Sequence, residues 1–265
     1  PSTQLASVLF NGCCLYGVDC NGILNWLDID MDKVPHNAKN EQSKLFKHGG
    51  YVSIVRDSHK GLLRYPNLKF RPCQADFLHL DIMVDGESII SDGGTYSYNK
   101  GRKWLNYFSG IESHNTIQFD GTEPMPRLGR FLFGKWPSGK LLSFYEDRTQ
   151  TSVQVKYQDY LGRSHERGVF VENGIWTITD KASDFSEHAI LRWRLHKSNW
   201  SVIGNQVVSS KAKMSFEVDK NVIMEIKIVK GSESRYYNEV LGSDVIEAKI
   251  YEACTIKTTI EFLET

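Results

Sequence analysis

An excess of charge of either sign is missing from this chain. Over 265 residues, 32 Lys and Arg balance 32 Asp and Glu, so no global field draws the molecule to nucleic acid or to acidic glycans. Any attraction to an anionic partner must be local. No run of about 18 apolar residues is present, which excludes a membrane-spanning helix and leaves no reason to expect a membrane partner. The opening residues, Pro1, Ser2, Thr3 and Gln4, include neither Met nor a basic or apolar leader region. Such a start reads as that of a fragment or a processed product, and it gives no address. Cysteines are few and unevenly placed at 13, 14, 20, 73 and 254, with no paired CxxC to suggest a zinc ribbon. They are expected as buried free thiols, with one disulfide through Cys20 left open. HExxH, a Walker loop and a nucleophile elbow are also absent, as are internal repeats and low-complexity tracts. Ser113, His114 and Asp92 have the composition of a hydrolase triad but lack the strand-to-helix elbow that it needs.

An apolar content of 40% with 24% charged residues is ordinary for a soluble globular chain that can bury a substantial core. Residues 4–16 place apolar groups near one helical face, although Gly12 weakens the pattern, and Ser2 is a candidate N-cap. Ile23 to Leu27 reads as a second short turn of helix. From Asp28 to Lys47 the composition turns polar, with Pro35, Asn37 and Asn40, as in a linker. Beyond His48 the character becomes β. Short alternating runs recur at intervals of about 8 to 15 residues, separated by turn residues, to the end of the chain. Asp85-Gly86 is a hairpin signal, because a type I′ turn favours residues that tolerate positive φ. Nothing after residue 50 reads as a long amphipathic helix. The expected fold is all-β, a large antiparallel β-sandwich over residues 48–265, preceded by a helical tail and linker over 1–47.

Chemistry-bearing residues concentrate between Arg71 and Asp120. Read as a strand, Gln74 to Ile82 puts Gln74 and Asp76 on the same face as Leu78, Leu80 and Ile82, at its open end, with His79 opposite. A carboxylate there is costly to bury unless paired or coordinated. The strand returning from Asp85-Gly86 delivers Asp92 opposite roughly residue 79, within a few residues of Asp76. His114 would join from a third strand. Two carboxylates and an imidazole suit a borderline divalent cation such as zinc, with one position left for water. The competing reading makes Asp76 and Asp92 turn residues and His114 a hydrogen-bonded structural histidine. His79 is expected at the surface or between the sheets. Tyr96 and Tyr98 either face a sugar or anchor the core. Between Lys100 and Lys140, basic side chains including Arg102, Arg127 and Arg130 outnumber acidic ones and are interleaved with Trp104, Tyr107, Phe108 and Trp136. A positive, aromatic-rich rim suits an anionic polymer whose rings stack. Single-stranded nucleic acid would meet the same description, and a plain solvated face remains the alternative.

At these residues the chain resembles the C-terminal β-sandwich part of the heparinase II/III-like polysaccharide lyases. That family carries a His-Ala-Asp-x-Leu-like segment, an Asp-x-Gly-Thr-Tyr-Ser-Tyr-like turn and a His-Asn-Thr-like segment followed by a strand and Asp-Gly. The counterparts here are Gln74-Ala75-Asp76-Phe77-Leu78, Asp92-Gly93-Gly94-Thr95-Tyr96-Ser97-Tyr98, and His114-Asn115-Thr116 with Asp120-Gly121. The resemblance implies an (α/α) toroid upstream, a polysaccharide cleft between toroid and sandwich, and β-elimination at a uronic acid. It also implies a periplasmic or secreted parent. A base removes the proton beside the carboxylate, the carboxylate is neutralised, and an acid protonates the leaving oxygen. In the family, base and acid include a Tyr and a His or Asn of the toroid. By the same resemblance Asp76, Asp92 and His114 are the zinc positions of members that bind zinc, His114 alternatively faces the substrate as a catalytic residue, and Gln74 lines the cleft at a catalytic position. Gln74 departs from the family, standing where several relatives place a histidine implicated in catalysis. An amide takes no proton at neutral pH but can hydrogen-bond a carboxylate. The expectation is thus the sandwich part of a lyase for an acidic polysaccharide of the glycosaminoglycan or alginate kind, inactive alone. The alternative is a non-catalytic carbohydrate-binding or scaffold module.

Overall fold

The computed structural model describes residues 2–14, 22–36, 42–219 and 221–263. Cys20, Asn37, Asn40, the expected end of the first helix and the side chain of Ser2 lie outside the described residues. Two compact units divide at Glu41 and Gln42. In the first, α1 (Ser2–Asn11) and α2 (Gly22–Trp26) are followed by a 3-10 turn at Met31–Lys33, and Cys14 bridges His36.

In the second unit the chain runs through β1 (Lys44–Phe46), β2 (Tyr51–Arg56), β3 (His59–Arg64), β4 (Leu80–Val84) and β5 (Glu87–Ile90) to α3 (Arg102–Ser109). Then come β6 (Ile117–Phe119), the small hairpin β7 (Arg127–Gly129) and β8 (Leu132–Phe133), and the meander β9 (Ser138–Glu146), β10 (Gln150–Gln158), β11 (Ser164–Glu172) and β12 (Ile175–Ser183). The last part holds β13 (Ala189–Leu195), β14 (Ser201–Ile203), β15 (Gln206–Val208), β16 (Ala212–Val218), β17 (Met224–Glu233), β18 (Leu241–Ile250) and β19 (Cys254–Phe262). One nine-stranded sheet has the order β1-β2-β3-β4-β5-β13-β18-β17, with β6 also on β13; an eight-stranded sheet has the order β14-β15-β16-β19-β12-β11-β10-β9. All these pairings are antiparallel. The expected antiparallel β-sandwich is the observed fold.

The strands alternate as a half-buried sheet requires. In β10, Thr151, Val153, Val155 and Tyr157 are buried while their neighbours face outward. The inner faces meet in one core, to which the first sheet gives Ile54, Leu63, Ile82 and Trp193 and the second gives Val153, Val169, Trp176 and Ile256. Each such aliphatic side chain contributes about 1.5–3 kcal/mol by leaving water. Residues 42–47 fall in the sandwich unit because β1 pairs with β2, which moves the division a few residues ahead of the linker end expected from composition.

Two local readings change. Residues 74–79 are not strand: Leu78 sits at φ 56, and His79 N–H bonds back to the Asp76 carbonyl in a turn. Strict alternation therefore starts only at Leu80. Arg102–Ser109 is helical, with Phe108 and Ser109 buried, and stacks Trp104 on Phe108 at 5.8 Å. Cys13, Cys14 and Cys254 are buried free thiols, but Cys73 is exposed.

Candidate active-site cleft and histidine–aspartate cluster

The middle strand β13 changes partner along its length. Leu195 pairs with Ile90 of β5, whereas Leu191 pairs with Ile117 of β6. Between those points Ser91–Gly94 and Ser113–Thr116 approach β13 together, and backbone groups there lack a regular ladder. Asn115 compensates. Its amide donates to the Leu80 and Ser91 carbonyls (3.0 and 3.2 Å), and its Oδ1 accepts from Arg194 N–H at 2.7 Å. Thr116 Oγ1 donates to the Phe77 carbonyl at 2.6 Å and so holds the 74–79 turn. Within His114-Asn115-Thr116, two residues are ties and one faces the cluster.

His114 is fully buried, and its Nδ1 lies 2.6 Å from Asp92 Oδ2. His79 Nε2 is 3.6 Å from the same oxygen and 3.0 Å from Asp81 Oδ1. The two imidazoles meet edge to face at 5.5 Å. Asn115 N–H donates to His79 Nδ1 at 2.9 Å, so in the neutral ring the proton sits on Nε2, facing the carboxylates. Burial lowers the His79 pKa, but Asp81 and Asp92 together outweigh it and the net shift is upward. The Asn115 N–H opposes a second proton. Asp92 is desolvated, yet His114, His79 and the Gly94 N–H hold its carboxyl below the ordinary range. Gly94 has φ 84, and a Cβ there would run into the Ser234 carbonyl oxygen, so this turn needs glycine.

The expected metal set is thus partly assembled. Asp92 and His114 are brought together, and His79 stands where Asp76 was expected; His79, Asp92 and His114 offer ligand atoms within 4.8 Å of one another. Asp76 instead pairs with Arg64, and its Oδ1 is buried without a hydrogen-bond partner. The turn at Leu78 swings His79 inward and Asp76 away, which the alternating-strand reading had reversed. Two imidazoles and a carboxylate are a zinc-like donor set. Ligands about 2.1 Å from a tetrahedral ion stand roughly 3.4 Å apart. The His79–Asp92 separation meets that, whereas the Asp92–His114 hydrogen bond would have to open.

Gln74 lies elsewhere, in a cavity of 190 Å³ lined also by Arg71, Cys73, Tyr98, Phe108, Arg130 and Phe131. Beside it a groove of 530 Å³ is bordered by Arg102, Asn106, Arg127 and Arg130. Arg127 is stacked over Phe133 at 4.3 Å and donates to Ser109 Oγ and the Arg130 carbonyl. Tyr98 lines the cavity, while the half-buried Tyr96 packs into Trp104 and Phe108 at 5.4 and 5.7 Å. Gln74, Tyr98 and Arg130 therefore share the cavity, Arg102 and Arg127 flank it, and the histidine cluster forms a separate group.

Sequence reading missed Arg167. Fully buried in β11, it reaches across from the second sheet, bonding Asp180 through Nε at 2.6 Å and donating through Nη1 to the Leu78 and Asn115 carbonyls (2.5 and 2.7 Å). Those carbonyls belong to the residues next to His79 and His114, so Arg167 fixes the backbone behind both imidazoles. A signal was available, because His165 and Arg167 share the inward phase of Val169 and Val171. A charged residue at such a position announces a buried network.

No curated protein sequence matches the chain. Among solved structures, a heparinase III gene product with methylated lysines aligns at TM-score 0.76 and 16% identity over 100% of this chain and 41% of its own. Heparan sulfate lyase HepC from Pedobacter heparinus aligns at 0.73 and 14%, covering 99% and 41%. A further heparinase III aligns at 0.71 and 19%, covering 87% and 38%. At these identities the likeness carries the fold alone, and the chain spans about two fifths of each relative's length. The family model described as heparinase II/III-like, C-terminal, matches residues 38–248, and the chain belongs to that family.

Proposed function

We propose that this chain supplies the sandwich wall of a site that acts on an acidic, uronate-containing polysaccharide by β-elimination. The observation that carries the reading is the Gln74 cavity, where an amide, two guanidinium groups (Arg71, Arg130) and aromatic faces (Tyr98, Phe131) converge. Abstracting a proton beside a carboxylate requires that the developing negative charge be met by donors. The Gln74 amide donates to the uronate carboxylate, Arg130 adds charge, and Tyr98 and Phe131 pack on sugar faces. Gln74 cannot remove the proton, neither carboxylate nor imidazole lines this cavity, and Tyr98 is assigned to a sugar face, so an upstream toroid is the source we propose for the base and the acid.

Binding of uronate oligosaccharides to the purified chain, with absorbance of the unsaturated product followed in parallel, tests this. The expected result is binding without turnover, weakened by Gln74→Ala. Turnover by the chain alone that disappears in His114→Ala would overturn the assignment of an incomplete site. Gln74 itself favours the second reading, a non-catalytic carbohydrate-binding module; a partner domain without a cleft-facing base would decide for it.

The donor set His79, Asp92 and His114 fits zinc, which would neutralise the cluster's carboxylate and pin the 79 and 114 segments together. Elemental mass spectrometry is expected to find about one zinc per chain, lost in Asp92→Ala. Zinc retained in Asp92→Ala, or absent throughout, would leave the three residues as a hydrogen-bonded cluster.

A further inference from the structure

We propose that Tyr237, in the loop after β17, determines specificity in the cleft by binding, together with Arg130, an anionic substituent of the polysaccharide beside the Gln74 cavity. This rests on the reading of the cleft as a polysaccharide site. The loop is fastened along the Asp92–Tyr98 turn at successive points. Ser234 N–H donates to the Gly93 carbonyl at 2.8 Å, and Asn238 N–H donates to the Tyr96 carbonyl at 2.9 Å. Tyr98 N–H then donates to the Tyr237 phenol oxygen at 3.3 Å, and the Ser97 hydroxyl donates to the same oxygen at 3.4 Å. Ser97 Oγ is itself the acceptor for Asn99 N–H, which orients its proton toward Tyr237.

Both bonds use the phenol oxygen as acceptor and leave its own proton to be given to a ligand. The side chain is placed for that role, being 55% exposed. Its ring packs on Tyr98 at 5.9 Å, and Tyr98 meets Phe131 at 5.4 Å, with the Arg130 guanidinium 5.9 Å over the Phe131 ring. The result is an aromatic ledge running from the Gln74 cavity to a phenol donor, with a cation beside it. The Ser97 and Tyr98 bonds, with the Arg130 charge, lower the Tyr237 pKa and make the phenol a stronger donor. A donor and a cation at the end of an aromatic ledge suit a saccharide that presents a ring face and an oxyanion. A uronate carboxylate and a sulfate ester both supply that oxyanion.

Calorimetric titration of the full chain with three probes tests the proposal: an unsulfated uronate oligosaccharide, a sulfated one, and a carboxyl-reduced neutral one. Tyr237→Phe keeps the ring and its packing while removing the hydroxyl. It is expected to weaken binding of an acidic probe about five- to tenfold and to leave the neutral probe unchanged. Arg130→Gln should weaken the same probe, and the double variant should lose less than the product of the single losses. A loss with the unsulfated probe assigns a carboxylate; a loss confined to the sulfated probe assigns a sulfate ester. If the wild type binds acidic probes and Tyr237→Phe binds them equally, or loses equally with the neutral probe, the role of Tyr237 is overturned while the cleft reading stands. If the wild type binds none of the acidic probes, the cleft reading falls and Tyr237 with it.

Discussion

Two histidine–aspartate pairs of the same 2.6 Å length, one sealed and one partly open, lie on either side of Arg167, and they are built for different purposes. Asp180 and His165 are both fully buried, and Arg167 closes the pair by bonding both Asp180 oxygens. Asp92 keeps 29% of its side chain exposed and is neutralised by imidazoles instead of a guanidinium. In the sealed pair, burial holds the His165 pKa below its ordinary value despite Asp180. The unpartnered His165 Nδ1 agrees, because a bare acceptor is tolerable where a bare N–H would not be. In the open cluster the shift of His79 runs the other way. A permanent cation on the carboxylate makes a tie, whereas its replacement by imidazoles leaves a group that protons, metals or ligands can still address.

The contrast breaks most severely at Arg167. Arg167→Met leaves the buried Asp180 without its cation, held by the His165 hydrogen bond, and frees the Leu78 and Asn115 carbonyls. A loss of about 3–5 kcal/mol in denaturant unfolding is expected. A loss under about 1 kcal/mol would mean that Asp180 had found another partner or water. Asp92→Asn, in the partly open cluster, should cost less, about 1–3 kcal/mol, since water can replace part of what is lost. Equal losses would mean that the two sites are sealed alike.

The smallest effect is in acid. With its folded pKa below the ordinary 6.5, His165 contributes stability that is present above pH 6.5 and lost as pH falls through the folded value. Asp180 and Asp92, held below 3.8, contribute above that pH and lose their contributions only as pH drops further, through their folded values. Melting curves of His165→Gln should therefore be flatter than wild type just below pH 6.5 and should keep the wild-type decline below pH 3.8. An unchanged slope in the upper window would show that His165 is not the group titrating there.

The sandwich was legible because β10 and β12 alternate throughout and β11 and β19 alternate from His165 to Val171 and from Cys254 to Ile260. The same rule failed at Gln74–His79, where one left-handed residue, Leu78, reverses which side chains converge. Asp92 and His114 were recoverable from the hairpin at Asp85-Gly86 and from the family motif. Helix α3 was not, since its eight residues are shorter than the window over which helical period is read, and Trp104 and Phe108 read as well for a rim as for a packed stripe. Tyr237 had no local signal at all, because only tertiary pairing brings its loop to the turn after Asp92.

That pairing has a consequence for how the molecule comes to be. Tyr98 and Tyr237 are 139 residues apart, and the Gly93 carbonyl has no Ser234 N–H to accept until β17 has been made and docked. Contacts of such sequence separation form late, since the loop-closure entropy must be met before they return anything. The mouth of the cleft is therefore expected among the last parts to assemble. A stretch of translation slowed before residue 230 would leave the Tyr98 ledge without Tyr237 and the core without Ile246 and Ile256, so mouth and core are both completed only by the last strands.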